Sequence, residues 1–247
     1  MPAPESFFRS RGLEPLAWDE ALRRAEAKLG GEDVASFARL HRAFVAYPAE
    51  HTARAFYDFA ARHELHGLLA SHRFHRLLAI AESFQSLPIR ESAAILDMGA
   101  GGGFLAGWLR DERGARVTVA DLSPASEEAL AAQGFPLLRQ QPEARFDLVL
   151  CADSLGEVHA DEDEWLADAA NADDPHFAGE LEARYGLAHK LAALRARLDP
   201  GGRVALFEPA PLPHFWHGAA RLLEGEGWRV ETLGPEPAWG LILTSAM

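Results

Sequence analysis

A short apolar run, Ala94-Ile95-Leu96-Asp97, breaks into Met98-Gly99-Ala100-Gly101-Gly102-Gly103 and then into a helical stretch that begins at Phe104. No other segment limits the fold as strongly. Glycines at these positions let a backbone turn sharply and approach a bound group with no Cβ in the way. A helix that starts directly after such a turn presents unpaired N–H groups in its first turn. Downstream, apolar strand-like runs at 117–121, 136–138, 146–151 and 203–208 alternate with helical stretches at 125–133, 181–198 and 218–224. Such alternation predicts βαβ units around a mostly parallel sheet. Two last strands, 228–233 and 239–244, are joined by a segment containing Gly-Pro-Glu-Pro. A connection that short predicts an antiparallel hairpin.

Before Pro88 the texture is different. Residues 16–29, 33–46, 49–62 and 71–87 carry apolar positions at helical spacing, and Gly30-Gly31 stops the first of these stretches. The chain therefore reads as a helical segment, 1–88, followed by an α/β domain, 89–247. The helical segment is expected to cap a pocket or to form a homodimer interface. Its aromatic residues Phe44, Tyr47, Phe56, Tyr57, Phe59 and Phe74 could line a substrate cavity or simply pack helix against helix.

Charge narrows the partners. The net charge is −13, and it is unevenly placed. Residues 1–88 hold 11 basic and 11 acidic side chains, whereas 89–247 hold 13 and 26. An acidic half of this kind repels phosphate backbones, which argues against nucleic acid as a partner. No apolar run approaches the roughly 20 residues of a membrane span, and the first residues lack the apolar core of a signal peptide. Cys151 is the single cysteine. It excludes internal disulfides, so a reducing, cytoplasmic setting is expected.

Asp121, 20 residues beyond Gly101 and at the end of the next strand, is placed to accept hydrogen bonds from two ribose hydroxyls. Gly101-x-Gly103-x-x-Ala106 with Asp121 also satisfies the dinucleotide pattern, so a nicotinamide-dependent oxidoreductase is an alternative reading. Asp97 weighs against it. A carboxylate ahead of the glycines is awkward beside a pyrophosphate but suits a ligand that carries an ammonium and a sulfonium.

Four features in this order resemble class I S-adenosylmethionine (SAM)-dependent methyltransferases: the loop Asp97-x-Gly99-x-Gly101-x-Gly103, the acid Asp121, the strand Phe146-Asp147-Leu148-Val149-Leu150-Cys151, and the turn Leu198-Asp199-Pro200-Gly201-Gly202. The resemblance covers about 93–247. It implies a Rossmann-like, seven-stranded, mostly parallel sheet with a terminal antiparallel hairpin. It implies SAM as cofactor, held by Asp97, Gly99, Ala100, Gly101 and Gly103. Asp121 would hold the ribose and Leu122 would lie beside the adenine. Cys151, Ala152 and Asp153 would form the floor of the pocket near the sulfonium. The family often places an acid after the third strand, against the adenine amine. Here that stretch reads Leu138-Arg139-Gln140-Gln141-Pro142, so Gln140 or Gln141 is expected to accept that hydrogen bond. A non-catalytic relative that keeps the fold is a third reading.

On the acceptor side, the residues after Cys151 read Ala152-Asp153-Ser154-Leu155 and lack the Asn/Asp-Pro-Pro-aromatic tetrapeptide of many base-amine methyltransferases. The expected reaction is methyl transfer to an oxygen or nitrogen of a small molecule, with a protein side chain as second substrate class. Glu157, His159 and His214 follow strands whose ends should border the substrate, and a base there would help a hydroxyl or ammonium nucleophile. Residues 157–182 hold ten acidic side chains and no Lys or Arg, either as a lid over a cationic substrate or as a solvated loop. The pairs His63/His66 and His72/His75 can each share a helix face, but nothing in their spacing completes a zinc site, so no metal is expected.

Overall fold

The computed structural model describes residues 3–46, 49–154, 186–207, 213–233 and 240–245. Contacts divide the chain into two compact units, Met1–Ser92 with Gly99–Gln141, and Ala93–Met98 with Pro142–Met247.

The first unit opens with six helices, α1 (Pro4–Ser10), α2 (Trp18–Lys28), α3 (Glu32–Ala46), α4 (Glu50–Arg62), α5 (His66–His72) and α6 (Phe74–Gln85). The continuous helix expected over 71–87 is instead broken at Arg73 (φ −96°, ψ 17°). The Ser71 carbonyl accepts from Leu16 N–H at 3.2 Å, so the end of α5 is satisfied by a distant segment rather than by the next helical turn. Phe37, Phe44, Phe56, Ala60 and Leu65 form a buried cluster between these helices. Phe44 and Phe56 stack at 5.2 Å, and Phe8 meets Phe74 edge-on at 6.5 Å. These aromatic residues pack helix on helix; Tyr47 lies outside the described residues.

The same unit continues through the glycine loop into α7 (Phe104–Arg113), β2 (Arg116–Ala120), α8 (Pro124–Ala132) and a 3₁₀ turn over Leu138–Gln140. The strand expected at 136–138 shrinks to one bridge, Val119 with Leu137. Pro136 has no N–H to extend a ladder, and the chain then tightens into the 3₁₀ turn.

The second unit carries five strands in the order β1-β3-β4-β6-β5: β1 (Ala94–Met98), β3 (Phe146–Ala152), β4 (Leu198–Phe207), β5 (Trp228–Leu233) and β6 (Gly240–Ser245). Between them lie α9 (Leu187–Arg195) and α10 (Pro213–Gly225). Strands β1, β3 and β4 are parallel, while β6 runs antiparallel to both β4 and β5. The terminal hairpin is thus as expected. Among the described residues the sheet has six strands rather than seven, the expected strand at 136–138 being absent from the ladder. The runs Ile95–Leu96, Leu148–Cys151 and Val204–Phe207 are almost fully buried, as suits strands covered on both faces. Asp199-Pro200-Gly201-Gly202 reads as a turn in sequence but lies within β4, as an irregularity between the pairs Phe146–Leu198 and Leu148–Arg203. A Cβ on Gly202 would come within 2.8 Å of the Phe146 carbonyl oxygen, so the strand accepts only glycine there.

Candidate functional site

The glycine loop hangs from the end of β2. Gly99 N–H and Ala100 N–H both donate to the Ala120 carbonyl, at 2.8 and 3.2 Å. Gly99, Gly101 and Gly103 have φ of +71°, +54° and +77°, where a side chain is strained. Their surroundings differ. A Cβ on Gly103 would strike Leu130 Cδ2 at 2.7 Å, whereas one on Gly101 would meet nothing within 4 Å. A side chain at Gly103 would push on Leu130 of α8, while among the described residues nothing fills the space beside Gly101.

Asp121 closes the arrangement. Its Oδ2 accepts from Gly101 N–H at 2.8 Å and its Oδ1 from Ser123 N–H at 2.9 Å. Each carboxylate oxygen has a second lone pair for a further donor. The following turn is a well-formed helix start. Ser123 caps α8 by accepting from Ser126 N–H at 3.0 Å, and Pro124 occupies the first helical position. Leu122 packs against the core of the N-terminal helices. Gln140 lies exposed at the end of the 3₁₀ turn. Glu127 on α8 pairs with Arg139 of that turn at 2.8 Å.

In the second unit, register aligns the strand ends. Asp97 stands opposite Leu150 and Met98 opposite Cys151 on β3, while Cys151 and Ala152 stand opposite Leu206 and Phe207 on β4. Asp97 is 2% exposed and Cys151 is fully buried. Asp153 follows with φ +55°, a conformation that aspartate tolerates better than most residues, and its N–H donates to the Phe207 carbonyl at 2.9 Å. The carboxyl ends of parallel strands are where open α/β sheets bind ligands.

Each unit therefore gathers part of the expected donor site: Gly99, Ala100, Gly101, Gly103, Asp121, Leu122 and Gln140 in one, and Asp97, Cys151, Ala152 and Asp153 in the other. Glu157 and His159, with most of the acidic stretch 157–182, lie outside the described residues. His214 falls on α10, where only the backbone is described.

Three groups near the loop escaped the sequence reading. Asp58 Oδ1 on α4 accepts from Ser123 Oγ–H at 2.5 Å and from Ala125 N–H at 3.2 Å. His66, the first residue of α5, places Nε2 3.0 Å from Ser126 Oγ. Its Cβ lies so close that a Cβ on Gly102 would come within 3.0 Å. Burial holds the His66 imidazole below its ordinary pKa, against a smaller upward pull from Asp121. Only the third group, the Ser123-Pro124-Ala125-Ser126 cap, has a local sequence signature.

The paired histidines go separate ways. His63 stacks on Phe59 at 4.2 Å, His72 rests against Trp18 at 4.9 Å, and His75 meets Phe74 edge-on at 5.7 Å. Among the described residues no three His, Cys, Asp or Glu side chains gather as a metal site, and no helix is long and apolar enough to cross a membrane.

A family model described as a methyltransferase domain matches residues 62–235. Among solved structures, a Haloferax volcanii complex between the Trm112 methyltransferase activator and a putative methyltransferase aligns with a TM-score of 0.51 and 15% identity, covering 77% of this chain and 97% of that one. That likeness is one of fold. Magnesium protoporphyrin IX methyltransferase from Synechocystis PCC 6803 aligns with a TM-score of 0.47 and 15% identity, covering 79% and 96% of the two chains. No curated protein matches.

Proposed function

The chain belongs to the methyltransferase-domain family, and from that membership we propose that it moves a methyl group from SAM to an oxygen or nitrogen of a small molecule. SAM dependence follows from the family, which decides against the nicotinamide reading. The acceptor class is our inference. It is supported by the acidic excess of residues 89–247 and by Ala152-Asp153-Ser154-Leu155 standing where a base-amine enzyme would carry its tetrapeptide.

One observation carries the donor site: the Asp121 carboxylate is pinned by Gly101 and Ser123 N–H groups, beside open space at Gly101. The residues fit the donor. Asp121 has lone pairs left for two ribose hydroxyls, and Asp97 is a buried carboxylate of the sign that a methionine ammonium requires. When bound, SAM supplies a methyl group made electrophilic by its sulfonium. The chain's own share is placement: in-line displacement depends above all on holding donor and acceptor in register. Gly99, Ala100, Gly101 and Gly103 would give backbone access, and Cys151, Ala152 and Asp153 would close the floor. Leu122 and Gln140 would contact the adenine. Glu157, His159 and His214 remain our candidates for the base.

We further assign 89–247 to a SAM-binding domain and 1–88 to a helical cap or dimerisation segment, with a homodimer through those helices as the assembly to test by light scattering. Buried Cys151 suits a cytoplasmic setting. Isothermal titration with SAM, S-adenosylhomocysteine and NAD tests the donor site. Micromolar binding of both adenosyl ligands, weakened about a hundredfold or more by Asp121→Ala, and no binding of NAD are expected. Absence of adenosyl binding would sink the reading. Transfer of labelled methyl to a small-molecule panel then tests the acceptor class, and binding without any turnover would point to a non-catalytic relative.

A further inference from the structure

We propose that Asp58, on α4, is a positioning residue for the donor's ribose: it anchors the turn that holds the Asp121 carboxylate. The inference rests on the donor-binding reading above. Asp58 lies 63 residues before Asp121, in the helical segment. Between the two carboxylates stands one serine. Ser123 is 0% exposed, and each of its polar groups is used. Its hydroxyl donates to Asp58 and accepts from Ser126 N–H, its carbonyl accepts from Glu127 N–H at 3.0 Å, and its own N–H donates to Asp121. Asp121 in turn fixes Gly101. The chain of contacts runs from α4 to the glycine loop with no gap.

The geometry gives Asp58 more than a capping task. A carboxylate that must accept from two hydroxyls gains affinity when its rotamer is set beforehand, because less side-chain freedom is lost on binding. Asp121 is only partly buried, so its two backbone donors set that rotamer. One of those donors belongs to Ser123, whose position Asp58 determines. A hydroxyl donating to a carboxylate makes a charge-assisted bond, stronger than one between neutral groups. Its negative charge also sits at the first turn of α8, where helix N–H groups favour it. The helix that carries Asp58 is anchored, because its Phe56 and Ala60 sit in the aromatic core. Leu122, one residue from Asp121, packs against that core as well, giving the turn an apolar anchor beside the polar one. His66 braces Ser126, the third residue of α8.

The test is titration of the full chain with S-adenosylhomocysteine. Asp58→Ala is expected to weaken binding about tenfold, and Asp58→Asn by about twofold or less, because the amide oxygen still accepts both bonds. In an Asp121→Asn background the Asp58→Ala loss is expected to shrink to about twofold, the signature of action through Asp121. A purely structural role predicts equal losses in both backgrounds; that result, or no loss from Asp58→Ala, overturns the proposal. So does an Asp58→Asn variant as weak as Asp58→Ala. If circular dichroism shows Asp58→Ala unfolded, Ser123→Ala replaces it with the same expected pattern. No binding by the unaltered chain would overturn the donor reading itself. With that binding intact, the variants alone decide the role of Asp58.

Discussion

The glycine loop and the N-terminal helices belong to the same compact unit, yet they are specified by different means. The loop is fixed at the level of the backbone. Gly103 is demanded both by a φ of +77° and by Leu130 Cδ2 waiting 2.7 Å from any Cβ. The helices are fixed by side chains that come together only after folding, with Phe37, Phe44, Phe56 and Leu65 drawn from two helices and a connection. A backbone requirement leaves a local trace in the sequence. A packing requirement leaves only apolar periodicity, which says that a face is buried but not against what.

The largest effect expected on this contrast is in the aromatic core. Phe56 is 2% exposed and touches the rings of Phe37, Phe44 and Tyr57. Phe56→Ala should cost about 3–5 kcal/mol. If the helices brace the β2–α8 turn, S-adenosylhomocysteine affinity measured on the folded protein should fall with it. A variant that loses stability but keeps full affinity would show that the two regions are energetically separate.

Gly103→Ala should come next. The left-handed backbone costs about 1–2 kcal/mol and the steric overlap about 1–3 more. Gly134 is the matched control: its φ is +85°, but nothing lies within 4 Å of a Cβ there. Gly134→Ala should cost only the backbone share, about 1–2 kcal/mol. Equal urea midpoints for the two variants would show that Leu130 moves aside and that the packing demand on the loop is weaker than its geometry suggests.

The same contrast explains what could be read in advance. Asp97, the glycines, Asp121 and the strands that carry them were legible because turn, strand end and apolar run are neighbours in the chain. The hairpin was legible for the same reason. The third strand was not, because Pro136-Leu137-Leu138 is apolar enough for a strand, and only the ladder donor lacking at Pro136 and the 3₁₀ turn after it reduce the pairing to one bridge. The break at Arg73 was hidden too, since it carries no glycine or proline and is satisfied by Leu16, far away in sequence. Asp58 and His66 were invisible as site neighbours: an Asp on an amphipathic helix reads as solvated until α4 is laid against α8.

Acidity offers the gentlest probe of that packing. Burial lowers the pKa of His41 and of His66, and of His72, where nearby Arg73 adds to the effect. All three belong to the helical segment, and none belongs to the glycine loop itself. A folded-state pKa below the ordinary value near 6.5 means that the unfolded chain binds protons first as the pH falls. Stability should therefore hold above about pH 6.5 and decline as the pH drops through that value toward the lower folded pKa values, before most carboxylates titrate. Urea midpoints at about pH 7.5 and 5.5 measure the decline. His66→Gln should flatten part of it, because a neutral amide has no proton to gain while its side chain can still reach Ser126. A flat midpoint in the unaltered chain would mean that the helices admit water to these rings, and the aromatic core would then be a looser brace for the Asp121 turn than its packing implies.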